Sequence, residues 1–352
     1  MRSENVPDLV AEQFCFGEGP LRLQGYGEGH INQTWLVTGQ GGKRFILQRI
    51  SEGLTKDAAG LTENILRITR HLRARETDPD PRRVLSPVPC REGGYLWQDE
   101  TGNWRAYDFI ENAICLQEVT SDEDFYQSAL AFGHFEELLK DFDAGALTET
   151  IVDFHNTPLR FARLVRAAAQ DSFGRRKEVE EELAFLLERE KDMRLLQHLR
   201  DIRQLPTRVT HNDTKLNNVL LDAVSRKALC VIDLDTVMPG LSLYDFGDAI
   251  RYGAATASED PSDLSEMGLS LERYRVFREG FLSATPDLTP LERELLPQGA
   301  RIITLEQAVR FLTDYLEGDV YYHTTRPGQN LNRCRSQIRL AQDMERKWAE
   351  MG

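Results

Sequence analysis

Six polar side chains, His211, Asn212, Asp213, Lys215, Asn217 and Asn218, fall within the eight residues that follow Thr210, and the apolar run "VLL" follows at once. A loop needs only one or two such residues to turn. Asp213 is followed by Lys215 at +2 and Asn218 at +5, and Asp233 closes a second apolar run twenty residues after Asp213. Phosphoryl transfer needs this set of parts. One carboxylate orients the attacking hydroxyl and receives its proton, an Asn and a second Asp hold Mg²⁺ on the phosphates, and a cation offsets charge on the transferring group. The spacing also matches the kinase template H-R-D-x-x-x-x-N followed by a later Asp. Any one of these residues alone is better read as a turn former, but the joint pattern is too demanding for that. Asp213 and Lys215 are therefore the catalytic candidates, Asn218 and Asp233 the metal ligands, and Asp235 a further ligand candidate. Downstream, "YDFGD" sets Asp245 and Asp248 three apart at the start of an expected helix. There they can cap the helix or buttress the polar loop through buried hydrogen bonds.

The elements that must position these residues follow from periodicity. Thr34–Thr38 and Arg44–Ile50 are β-prone runs on either side of Gly39-Gln40-Gly41-Gly42, a hairpin signal. Leu61, Ile65, Ile68 and Leu72 recur at spacings of three and four and predict a helix over 58–74. A second hairpin turns at Thr101-Gly102-Asn103. Beyond residue 111 helical stripes dominate, with one over 122–142, a charged helix over 177–200, a strand pair at Val219–Leu221 and Ala228–Ile232, and a mostly helical remainder. The fold class expected is α+β: a small β-rich lobe over 1–110 and a larger helical lobe over 111–352, hinged at Tyr107–Asn112. Two lobes with a hinge favour a ligand cleft between them.

Bulk properties narrow the partners. The 352-residue chain carries a formal net charge of -14, and no basic face for nucleic acid is apparent. Its five scattered cysteines read as free thiols of a reducing compartment. The N-terminal stretch has no apolar signal region, and no run approaches a membrane span. A cytoplasmic protein with no nucleic-acid, membrane or protein partner is the expectation.

The segments "VTHNDTKLNNVLLD", "VIDLDTVMPG" and "YDFGDAIR" resemble the aminoglycoside phosphotransferase/choline kinase superfamily, whose members have a protein-kinase-like fold. With "GYGEGHINQTWLV", "FHNTPLRF" and "VRFLTDYLEGDVYY", the chain looks most like the N-acetylhexosamine 1-kinases. The resemblance implies ATP and Mg²⁺ as cofactors, and a nucleotide cradle at Gly25, Gly27 and Gly29 with Gln48, Phe109 and Glu111 nearby. It also implies His30, Arg310 and Tyr321 as sugar contacts, Phe246 as the apolar wall, and His155 and Arg160 as lesser candidates. One departure stands out. Protein kinases place a phosphate-holding Lys on the strand after the glycine-rich loop, and here that position is Gln48. Glu63 is then an acid on the following helix without its lysine. The implied reaction makes a hexosamine 1-phosphate from N-acetylglucosamine or N-acetylgalactosamine. Two alternatives stay open at this stage: a kinase of choline, homoserine or an aminoglycoside, and a nucleotide-binding pseudokinase.

Overall fold

The computed structural model describes residues 6–27, 32–53 and 55–352. After a short helix α1 (Val6–Ala11), five strands build an antiparallel sheet: β1 (Arg22–Gly25), β2 (Gln33–Thr38), β3 (Arg44–Ile50), β4 (Trp97–Asp99) and β5 (Gly102–Asp108). Their order is β1-β2-β3-β5-β4. The β2–β3 turn uses Gly41 and Gly42 at φ 75° and 82°, a region that favours glycine. Helix α2 (Ala58–Arg75) crosses between β3 and β4. Asp57 caps it by accepting from the Gly60 amide at 2.8 Å, and Leu61, Ile65, Ile68 and Leu72 are buried beneath it.

The chain leaves this sheet within residues 109–112, because β6 (Ala113–Cys115) already pairs with β8 (Val219–Asp222), which in turn pairs with β9 (Ala228–Val231). A third, two-stranded ribbon joins β7 (Arg208–Thr210) to β10 (Met238–Gly240). The larger portion is helical. It comprises α3 (Asp122–Leu138), α4 (Thr157–Gln170), α5 (Glu180–Glu188), α6 (Glu190–Met193), α7 (Leu195–Asp201), α8 (Ser242–Gly253), α9 (Leu271–Ala284), α10 (Pro290–Glu294), α11 (Leu296–Leu316), α12 (Gln329–Arg346) and α13 (Trp348–Met351). The architecture is mixed α+β, a β-sheet lobe beside a larger helical portion.

The single charged helix expected over 177–200 is broken into α5, α6 and α7 after a short 3₁₀ turn. The breaks fall at Arg189 and Arg194, and Arg189 spends its guanidinium on Glu345 of α12 at 2.9 and 2.8 Å. Ion pairs to a distant helix outweigh local propensity there.

Helix α8 carries Asp245 and Asp248, and its placement depends on two glycines. A Cβ on Gly247 would stand 2.6 Å from the Gly299 carbonyl oxygen of α11, and one on Gly299 would stand 2.6 Å from the Leu243 carbonyl oxygen. The two helices approach closely because neither has a side chain in the way. All five cysteines are free, three buried and two exposed. Among the described residues, no helix is long and apolar enough to cross a membrane.

Candidate active site

The polar loop leaves β7 at Thr210 and returns to β8 at Val219. It is held from below by α8. Asp245 accepts from the amides of His211 and Asn212 at 2.7 Å each, and Asp248 accepts from the Thr214 amide at 3.0 Å. The Thr214 hydroxyl donates to the Asp245 carbonyl at 2.5 Å. The turn itself needs a left-handed residue, and Asn212 takes it at φ 64°. Asn212 then donates to the Thr236 carbonyl at 2.9 Å and accepts from the Thr210 hydroxyl at 2.9 Å. Asn212 is therefore a built-in brace. The Asn217 side-chain amide donates to Gln117 at 3.3 Å, and its Oδ1 is buried without a partner among the described residues.

His211 ties this loop to the segment that runs from the end of β9 to Asp233. Its Nε2 donates to the Ile232 carbonyl at 2.9 Å, and its Nδ1 accepts from the Asp213 amide at 3.3 Å, so the bonding partners select one tautomer. Phe132 and Phe135 wall the ring edge-on.

On this frame Asp213, Lys215 and Asn218 converge. Lys215 Nζ lies 3.0 Å from Asp213 Oδ1, and the Asn218 amide donates to Asp213 Oδ2 at 3.1 Å and to its carbonyl at 2.8 Å. Burial would lift the Asp213 carboxyl, but the Lys215 charge and hydrogen bond outweigh it and hold it below the usual carboxylate range. Lys215 is raised in turn, chiefly by the Asp213 charge. The Lys215 pairing thus favours the ionised form of Asp213.

Asp233 stands beside this group with left-handed backbone (φ 57°, ψ 59°), one residue after Ile232, whose amide donates to the Asn218 carbonyl at 2.9 Å. Asp233 is exposed, and its side chain makes no hydrogen bond among the described residues. Partial desolvation by neighbouring residues, followed by the negative charges of Asp235 and Asp213, pushes its pKa up to about 7. Among the described residues, no group of three or more His, Cys, Asp or Glu side chains could hold a metal by itself. The donor set here is smaller: the Asn218 Oδ1, which its amide bonds leave open, and the Asp233 carboxylate. That pair fits a hard divalent cation whose other ligands are phosphate oxygens and water. Asp235 differs, since both its oxygens are engaged by Arg105 and Asn32. That engagement makes it a poorer ligand than Asp233, whose side chain makes no hydrogen bond among the described residues.

The nucleotide-side expectations divide. Gly25 ends β1 opposite Trp35, and Gly27 has φ 78° with open space where a Cβ would lie. Gly29 and His30 lie outside the described residues. Gln48 faces Thr34 across the strands and donates to its hydroxyl at 3.2 Å. Phe109 is packed between Arg44, 4.2 Å above the ring, and Tyr26 at 5.8 Å. Glu111 pairs with Arg44 at 2.9 Å. Glu63 pairs with Arg67 on its own helix.

On the acceptor side, Arg310 and Tyr321 come together, lining one small cleft of about 30 Å³ with Arg160, Arg163 and Tyr322. Asp314 builds its rim, accepting from the amides of Val320, Tyr321 and Tyr322 at 3.0, 2.8 and 3.0 Å. Glu317 is paired with Arg163 at 3.0 Å. A chain of contacts links the cleft to the loop. Arg310 lies over the Phe154 ring, Phe154 packs on His155, and His155 lies 2.9 Å from Glu306 and 3.3 Å from the Asn212 carbonyl. Phe246 does not join them. It is fully buried against Phe277 and Phe281, with centroids at 5.8 and 5.6 Å, and is core. It follows Asp245 directly on α8, so when Asp245 faces the loop Phe246 must point away.

One buried acid outside the loop has a pH signature. Glu136 of α3 accepts from the Ser242 hydroxyl, while its Oε1 is buried without a partner. Burial first, and then the Asp245 charge, raise its carboxyl well above the ordinary 4.5. A raised acid favours the folded state below its unfolded pKa and loses that contribution as pH climbs through the folded value. Glu136→Gln should therefore change Tm little at pH 5. At pH 9 it should leave the variant more than about 2 °C above the parent. Parallel Tm-against-pH curves for the two proteins would refute this.

Solved structures of similar fold span essentially the whole chain. A microcompartment-associated aminopropanol kinase is 17% identical, with 99% of each chain covered and a TM-score of 0.66. An aminoglycoside phosphotransferase from Alicyclobacillus acidocaldarius is 13% identical, covers 98% of this chain and 95% of its own, and scores 0.64. A choline kinase from Cryptosporidium parvum is 12% identical, with 99% and 97% covered and a score of 0.58. At these identities the likeness speaks for the fold. Residues 22–278 match the model of the phosphotransferase enzyme family, most of the chain including the whole polar loop and Asp233, and the chain belongs to that family.

Proposed function

We propose that this phosphotransferase moves the γ-phosphoryl group of ATP to the anomeric hydroxyl of an N-acetylhexosamine, giving the sugar 1-phosphate and ADP. The observation that carries the chemistry is the convergence of Asp213, Lys215 and Asn218 beside Asp233. Asp213 orients the acceptor hydroxyl and takes its proton as the new O–P bond forms and the bond to ADP breaks. Lys215, 3.0 Å from Asp213, shifts its charge toward the transferring group. Mg²⁺, held by Asn218 and Asp233, would supply charge neutralisation on the phosphates. Asp245, Asp248 and His211 fix the loop so that little reorganisation is needed at the moment of transfer.

The acceptor cleft supports a neutral polyol over a cation. Its three guanidiniums face two carboxylates, and both carboxylates are spoken for by backbone amides or by Arg163. Choline or an aminoglycoside would want carboxylates to spare. Arg310, Tyr321 and Tyr322 offer donors and apolar faces of the kind a sugar needs. The hexosamine assignment also draws on the resemblance of "VRFLTDYLEGDVYY" and "FHNTPLRF".

ADP release measured against N-acetylglucosamine, N-acetylgalactosamine, glucose, choline, homoserine, 1-amino-2-propanol and kanamycin tests the assignment. Turnover is expected with at least one N-acetylhexosamine at a kcat/KM well above the rest. Turnover of choline or aminopropanol with no hexosamine would replace it. Arg310→Ala should raise the acceptor KM about 10- to 100-fold, the loss of a charged hydrogen bond, and leave the ATP KM within about twofold. An unchanged acceptor KM removes Arg310 from the pocket.

A further inference from the structure

Strand β3 offers Gln48 where a phosphate-site lysine would stand, yet a cation is present one strand away. Arg105 of β5 is the register partner of Gln48 and donates to its Oε1 through Nε at 3.0 Å and Nη2 at 2.9 Å. The same guanidinium closes a two-point pair with Asp235, Nη1 to Oδ1 and Nη2 to Oδ2 at 2.9 Å. Arg105 is 3% exposed and Asp235 4%. Asn32 adds a donor to Asp235 Oδ2 at 2.7 Å while its own Oδ1 accepts from the Ser51 amide at 3.0 Å. Two side chains of the β-sheet lobe, Asn32 and Arg105, thus grip one carboxylate of the turn that begins at Asp233, and Gln48 holds Arg105 in place.

Such a grip has a consequence two residues away. Asp233 holds a left-handed backbone, a conformation that carries a modest cost for any residue with a Cβ. Its carboxylate also sits among Asp213 and Asp235, whose charges repel it. The Arg105 pair answers both demands, since it anchors the turn and places a positive charge inside the acidic cluster.

We propose that Arg105 is a positioning residue for the metal-binding turn: it clamps Asp235 to the sheet, and so sets the Asp233 carboxylate at the cleft and supplies from β5 the cation that β3 lacks. This rests on the reading of Asn218 and Asp233 as the metal ligands. Removing the clamp frees the turn, and the divalent ion should suffer before the nucleotide does.

The test is direct Mn²⁺ binding, read as loss of the free-ion EPR signal in the presence of a non-hydrolysable ATP analogue, alongside Tm. Arg105→Gln should weaken Mn²⁺ about 10- to 100-fold, as loss of an outer support of a ligand does, with metal-free binding of the analogue unchanged. Arg105→Lys keeps the charge but not the two-point geometry, and should fall between Gln and the parent. Because a lone buried Asp235 could unfold the single variants, Arg105→Met/Asp235→Leu removes both charges. That variant should regain Tm while still binding Mn²⁺ weakly. Parent-like Mn²⁺ affinity in the double variant overturns the proposal, because the pair then serves stability alone. A parent protein that takes up no Mn²⁺ overturns the metal reading and this inference with it.

Discussion

Asp213→Asn should lower kcat about 10²–10⁴-fold, the range for loss of a proton-accepting group, with Tm within a few degrees of the parent. The amide occupies the same volume and can still accept from Asn218, so the loop keeps its shape. It cannot take a proton, and it no longer anchors the Lys215 charge at 3.0 Å. The loop's own restraints come from Asp245, Asp248 and His211 and are untouched by the change. Substrate KM values should therefore stay within a few-fold. Near-normal turnover in this variant would strip Asp213 of its role. A collapse in Tm would instead show it to be structural.

Asp245→Ala should produce the largest effect on the fold. Two buried amides, those of His211 and Asn212, lose their acceptor at once. Each orphaned buried donor costs about 1–3 kcal/mol, so the loss is about 2–6 kcal/mol, comparable to much of a domain's total stability. Activity should fall with it, since Asn212 holds the left-handed turn that aims Asp213. Denaturant unfolding with an unchanged midpoint would contradict the buttressing role. Asp245→Asn, which keeps one acceptor oxygen, should lose less.

The two predictions also mark where the sequence was informative. Asp213, Lys215, Asn218 and Asp233 are set by spacing within about twenty residues, and the pattern of polar residues followed by short apolar strands encodes them locally. The β2–β3 hairpin, α2 and the stripe of α3 were legible for the same reason: alternation, turn glycines and spacings of three and four need no distant partner. The brace at Asp245 was visible as two carboxylates at a helix start, although its targets were not. Arg105 was invisible. Its partner Asp235 is far along the chain, and its neighbour Gln48 is known only once β3 and β5 are in register. Phe246 was misread because "YDFGD" does not say which side of α8 packs on α11. The close approach of Gly247 and Gly299 decides it and turns the ring into the core. Likewise the break between α5 and α6 falls at Arg189, whose ion pair with Glu345 is tertiary and not legible locally.

The central claim is transfer to an anomeric hydroxyl aimed by Asp213. The most direct measurement is a ³¹P–¹H correlation spectrum of the product formed from ATP and N-acetylglucosamine or N-acetylgalactosamine. The account predicts a phosphorus coupled to the anomeric proton, absent when Asp213→Asn replaces the parent. Phosphorus coupled instead to the C6 protons, or phosphate appearing only on choline or an amino alcohol, would contradict it.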